Sequence, residues 1–437
     1  MTGARASRLA TGEGVAAAAE SRTVPGVRVV MDVRALQEPS RAPRTAAYLE
    51  GLLGAFDASP APGESFAFLL ASDEDDPTRR FEHLEVIGRR LLPPTRLLRS
   101  AALTVDPFLL RGASLGAAWR AEDSGASGAV YHTAGGGLPI GSRLPTVVTL
   151  LDLAPWELPG AFQRTVASRF GQRLRARLLR DAAAVLVGTD AVARSARRLL
   201  HLRRDCIRVV ALAPRPAYAV GPSALAARSA DARAIIEGLG LADRYLVYPG
   251  RHDIRQDAAT MLAALASLGR RERPDDLPDA APWPPRALVL DTTPDDRAAL
   301  ARIAARQGAG DHLVYAPAMA AEQAAAVVAA SRGVVLPMVS ESSGLAALDA
   351  LAAGVPVVAS AVGALPEIVG TAGILVEPRD RERLATALAA VWSDGPVRAV
   401  LEEAAGERAA GHGAGVRTWD DVAADVRAIY AEVGRRD

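Results

Sequence analysis

The sequence predicts an α/β protein: two doubly wound, Rossmann-like domains facing each other across a cleft. Three observations carry that expectation. The chain has 437 residues, more than a single hydrophobic core usually serves. Short runs of Val, Ile and Leu alternate along it with Ala/Leu/Arg stretches of helical spacing. A segment rich in Pro, Ala and Gly, residues 213–230, interrupts that alternation near the middle.

The elements follow in order. Residues 1–24, rich in Ala, Ser, Gly and Arg, read as a disordered tail. Strand candidates then fall at 27–32, 66–71, 129–133, 146–151, 183–187 and 206–212, giving a first domain over 25–218. A linker is expected over 219–238. The alternation restarts with candidates at 245–250, 286–291, 312–316, 333–337, 355–360 and 373–377, giving a second domain over 239–417. Residues 418–437 predict a final helix that packs back toward the first domain. Several strand runs are continuously apolar, as parallel strands covered on both faces require. A fold of this kind places its ligand cleft at the carboxyl ends of the strands.

Composition narrows the function. Half the residues are apolar and only 4% aromatic, so the core is built from Ala, Val and Leu. No apolar run approaches the roughly 20 residues that span a bilayer. The single cysteine, Cys206, excludes internal disulfides and a Cys-based zinc site, and it points to the cytoplasm. There is no Lys, so all 51 basic residues are Arg and lysine-dependent chemistry is excluded. Residues 1–218 hold 29 Arg against 21 acids, and residues 219–437 hold 22 against 29. The excess in the first half concentrates in two basic amphipathic stretches, 169–180 and 193–204, suited to an anionic substrate or the inner face of a membrane. Nucleic acid is not expected as a partner, because no recognisable module or aromatic stacking platform accompanies the charge.

The segment "SESSGLAALDALAAGVPVVAS", residues 340–360, carries the chemistry. After the apolar run at 333–337 comes a polar turn holding Glu341, then a helix beginning near Gly344 or Leu345. A helix N-terminus presents unpaired N–H groups and the positive end of a dipole, which together suit an anion. Gly344 permits close approach of a ligand to the backbone. Asp349 stands about a turn into the helix. A phosphate flanked by two sugars fits this layout, with one sugar near Glu341 and a ribose near Asp349.

That segment, with "GALPEIVG" (363–370), "AGILVEPRDRERLATAL" (372–388), "TWDDVAADVRAIYAEV" (418–433) and "YPGRHDIRQDAATMLAAL" (248–265), resembles the retaining glycosyltransferases of family 4, which have the GT-B fold. The resemblance implies a nucleotide-diphospho-sugar donor, UDP- or GDP-linked, and a glycan or glycolipid acceptor, with no metal and no other cofactor. It implies that Glu341 contacts the transferred sugar, that the amides of Gly344 and Leu345 hold the donor phosphates, and that Asp349 binds the ribose. Arg251 takes the place of the family's diphosphate-clamping arginine. Gln256 stands where the family has lysine, and the neighbouring Arg255 offers a substitute fork. Base contacts are expected from backbone over 316–319. In the first half, Asp32, Arg34 and Tyr48 match, while Pro43, Arg44 and Thr45 stand where a glycine-rich loop is usual. His132 and Asp152 are expected at the cleft as binding residues, and Leu151 replaces the family's histidine. Two functions follow: a metal-independent retaining transferase, peripheral at the membrane, or a GT-B relative that binds nucleotide or a partner without turnover.

Overall fold

The computed structural model describes residues 26–94, 105–111, 128–135, 137–220, 222–227, 229–241, 244–279, 281–410 and 417–434. The expected tail at 1–24 lies outside them. The first domain holds a seven-stranded sheet. Its strands are β1 Arg28–Asp32, β2 Ser65–Ala71, β3 Val86–Leu92, β4 Ala129–Ala134, β5 Thr146–Thr149, β6 Ala184–Val187 and β7 Ile207–Val209. Their order is β3-β2-β1-β4-β5-β6-β7, and every pairing is parallel. The second domain holds a six-stranded sheet of β8 Leu246–Tyr248, β9 Ala287–Val289, β10 Leu313–Tyr315, β11 Gly333–Leu336, β12 Val357–Ser360 and β13 Gly373–Val376. Its order is β10-β9-β8-β11-β12-β13, again all parallel.

The apolar runs explain the arrangement. β6, β8, β9, β11 and β12 are buried at every residue, because helices cover both faces of each sheet. β3 was not expected from the sequence, since Arg89 and Arg90 interrupt its apolar pattern. It forms because it is the outermost strand of its sheet, where exposed charge is tolerated and blocks further pairing.

Two segments depart from, or extend, the sequence expectation. Residues 219–238, expected as a linker, contain two helices, Pro222–Ala227 and Ser229–Gly238. Ala232 and Ile236, one helical turn apart, are buried, and the second of these helices lies on the second-domain helix Ala321–Ala329. The late helix Trp419–Gly434 lies on Pro43–Ala58 and on β4, in the first domain. Trp419 meets the Tyr48 ring edge-on at 5.8 Å.

Strand order fixes where a ligand can sit. In the second sheet the chain reverses its direction of travel between β8 and β11, and in the first between β1 and β4. Loops leaving the carboxyl ends of such a pair splay apart and open a crevice.

Candidate active site

The crevice of the second sheet opens into a cavity of about 650 Å³ between the domains. β8 delivers Arg251 to it, three residues beyond Tyr248, and β11 delivers Glu341. Gly344, Leu345 and Asp349 from the helix Leu345–Ala352 complete the lining on that side. Five residues predicted from sequence therefore share one cavity. The backbone expected to meet a base, residues 316–319, lines it too.

Glu341 is held from three sides. Its Oε1 accepts from the amide of Ser343 at 2.9 Å, the amide of Gly344 at 3.0 Å and the Ser343 hydroxyl at 2.7 Å. Its Oε2 accepts from Arg44 at 3.1 Å. Burial opposes ionisation, yet Arg44 and the amide donors outweigh it and hold the carboxyl below its usual range. The turn depends on glycine at two points. Gly344 has φ 66°, and a Cβ there would meet Ile368 at 2.2 Å. Gly363 has φ 54°, and a Cβ there would lie 1.7 Å from the carbonyl oxygen of Glu341.

The Gly344 amide thus belongs to Glu341, which corrects the expectation that it holds a phosphate. The amides of Leu345 and Ala346 have no hydrogen-bond acceptor among the described residues, and both residues line the cavity. Anion-binding capacity sits there, one residue further into the helix than the sequence suggests. The Leu345 side chain meanwhile packs into the core of the first domain, in the same apolar cluster as Leu151.

Asp349 is also engaged. Arg215, at the exit of the first domain, donates to it from its amide and from Nε, both at 2.7 Å. Arg215 lies over the ring of Tyr218, 5.0 Å from its centroid. A ribose at Asp349 must displace or share with this arginine.

Among the described residues Arg251 bonds to carbonyl oxygens, that of Asp291 at 3.1 Å and that of Ser40 in the first domain. Gln256 lines the cavity and accepts from the Tyr248 hydroxyl at 3.1 Å. Arg255 does not turn toward it. Its guanidinium grips Asp152 at 2.5 Å and Asp253 at 2.8 Å and stacks over Phe162. The expected substitute fork is therefore spent on a bridge between domains, and Asp152 is its partner there.

His132 does not reach the cleft. It is fully buried on β4, with Nδ1 2.5 Å from the Tyr430 hydroxyl and Nε2 2.9 Å from that of Thr149. Burial depresses its pKa to about 3, so the ring is neutral and structural. Two functional candidates were missed, Arg44 and Arg215. Only the replacement of a glycine-rich loop by Pro43-Arg44-Thr45 hinted at the first.

Among the described residues, no group of three or more His, Cys, Asp or Glu side chains is arranged to hold a metal ion. The arrangement instead brings together cations, free amides and two buried carboxylates, a set suited to a phosphate ester carrying hydroxyl-rich groups on either side.

The fold defines the class first: two parallel-sheet domains facing each other across a cleft are the GT-B architecture. The structure aligns with the sucrose-phosphate synthase of Thermosynechococcus elongatus at TM-score 0.64 and 19% identity, covering 93% of this chain and 98% of that one. It aligns with HepE of Anabaena, solved in complex with UDP and glucose, at TM-score 0.63 and 16% identity, covering 93% and 100%. More particularly, residues 243–394, which include every site residue named above from the second domain, match the family described as Glycosyl transferases group 1. The D-inositol 3-phosphate glycosyltransferase of Streptomyces griseus subsp. griseus is 38% identical over 133 residues, 30% of this chain and 27% of that relative. That of Frankia alni is 36% identical over 189 residues, 42% and 44%. The chain thus matches less than half the length of these curated relatives.

Proposed function

We propose that the protein is a retaining, metal-independent glycosyltransferase that moves a sugar from a nucleotide-diphospho-sugar to a glycan or glycolipid acceptor. The observation that carries this reading is the convergence of Arg251, the free amides of Leu345 and Ala346, Glu341 and Asp349 on one cavity, within the segment matched by the transferase family.

The chemistry follows from the charges. Breaking the bond between the sugar and the diphosphate leaves its electron pair on the diphosphate. Fixed cations and amides aimed at that oxygen stabilise the developing charge without a metal. Glu341, kept ionised, lies where positive charge grows on the sugar ring. Asp349 takes the ribose hydroxyls once Arg215 yields. A smaller cavity of about 330 Å³ at the switch between β1 and β4 is proposed to take the acceptor. The helix Val166–Arg180 exposes Val166 and Phe170 beside Arg169 and Arg173, and it is proposed to rest on an anionic membrane surface. No described helix is long and apolar enough to cross a membrane.

The test is transfer and donor hydrolysis assayed across UDP- and GDP-sugars, with thermal stabilisation by UDP against GDP measured alongside. Absence of turnover with every donor sinks the reading. The alternative of a lapsed relative rests on Leu151, Gln256 and the glycine-poor stretch Pro43-Arg44-Thr45.

A further inference from the structure

We propose that Arg44 supplies the cation that Gln256 lacks, so that the leaving diphosphate is clamped from both domains at once. This rests on the sugar-transfer reading and adds to it a residue from the first domain.

Arg44 sits in the first turn of Pro43–Ala58, where Pro43 fixes the start of the helix. Its guanidinium crosses the cavity to Glu341 Oε2, while Oε1 of the same carboxylate rests on the amides of Ser343 and Gly344. One carboxylate group therefore separates the guanidinium from the helix end whose next two amides are free. That bond to Glu341 is the one side-chain hydrogen bond Arg44 makes among the described residues, and a guanidinium has five donors to give. Glu341 also holds Arg44 firmly charged.

The other cations near the site are committed. Arg255 is paired with Asp152 and Asp253, Arg215 with Asp349, and Arg80 with Glu50. Arg297 donates to the Thr292 hydroxyl and the Ala316 carbonyl. Gln256 carries no charge and is bonded to Tyr248. Arg44 is paired as well, with Glu341, but through a single donor, so its guanidinium keeps donors for a second anion in the cavity that Arg251, Leu345 and Ala346 also line. As the sugar–diphosphate bond breaks, the acceptor oxygen bonds to the sugar carbon and its proton passes to the departing phosphate oxygen. Arg44 balances the charge that the phosphate gains. Because Arg44 and Arg251 come from different domains, this stabilisation exists only while the cleft is closed.

The experiment measures dissociation constants of UDP and UMP by calorimetry on the full chain, with GDP and GMP in parallel. Arg44→Gln is expected to weaken the diphosphate by roughly 10- to 100-fold and the monophosphate by about threefold or less. Arg44→Lys is expected to retain most of the diphosphate preference, and the double variant Arg44→Gln/Gln256→Lys to regain it. In steady state, Arg44→Gln lowers kcat more than it raises KM. An Arg44→Gln protein that keeps the full preference for the diphosphate overturns the proposal, as does one that loses both nucleotides alike. If no nucleotide binds the unaltered protein, the transfer reading itself falls, and this one with it.

Discussion

Glu341 and Asp349 are both buried, and burial is the largest influence on each, yet they end on opposite sides of the usual carboxylate range. At Glu341, Arg44 and the amides of Ser343 and Gly344 win, and the carboxyl is held low. At Asp349, burial prevails over Arg215, and the carboxyl is pushed up. Glu341→Gln keeps the shape and removes the charge, so transfer should fall about 100-fold or more while the protein still folds; initial rates and a melting curve check both. His132 gives a pH prediction. Its folded pKa of about 3 lies below the ordinary value of 6.5, so the unfolded chain takes up the proton first. Stability contributed by the neutral ring is whole above 6.5 and drains away as pH falls toward 3. Between pH 6.5 and 5 the unaltered protein should lose about 2 kcal/mol more than His132→Gln, read by denaturant titration at the two pH values. The residues that sequence revealed are those whose chemistry is local: Glu341, Gly344, Leu345 and Asp349 lie on one strand–turn–helix unit. Arg44 and Arg215 stayed hidden because their partners lie 297 and 134 residues away. His132 was misplaced for the same reason, since Tyr430 stands 298 residues further on.

The loop between β11 and the helix Leu345–Ala352 works because another segment lies directly against it. The amide of Ala364 donates to the Glu341 carbonyl at 3.0 Å, and only a glycine at 363 lets the two backbones come that close. Gly363→Ala should cost about 1–3 kcal/mol and weaken UDP binding, because either the Glu341 turn or the 363 turn must move; a melting curve and calorimetry measure the two effects. At this scale the sequence was legible where apolar runs are continuous, in the strands of the second domain. Over 219–238 it did not show the two helices, because Pro, Ala and Gly signal a linker by composition. The buried pair Ala232 and Ile236 reveals itself only once Ala321–Ala329 is there to cover it.

Across the whole molecule the two domains share apolar packing, with Leu345 in the first-domain cluster and Leu153 in one cluster with Leu365, and polar ties stand beside it. Arg255 bridges to Asp152, Ser342 accepts from the Leu153 amide, and Glu367 accepts from the amides of Asp190 and Ala191. Glu367 thereby caps a helix that belongs to the opposite domain. Arg255→Ala removes the tie to Asp152 and leaves that carboxylate partly buried. The nucleotide-free protein should then adopt a larger radius of gyration in X-ray scattering, and UDP should restore the compact value. An unchanged radius would mean that the Arg255 bridge does not govern closure.

The helix Trp419–Gly434 has a further effect on how the molecule comes into being. It covers the face of the first sheet where Tyr430 meets His132, yet it leaves the ribosome long after that sheet has been made. The nascent first domain must wait with an apolar face uncovered while the second domain is being synthesised. Its final packing therefore follows the synthesis of the second domain, and a chaperone that shields such surfaces would find its target there.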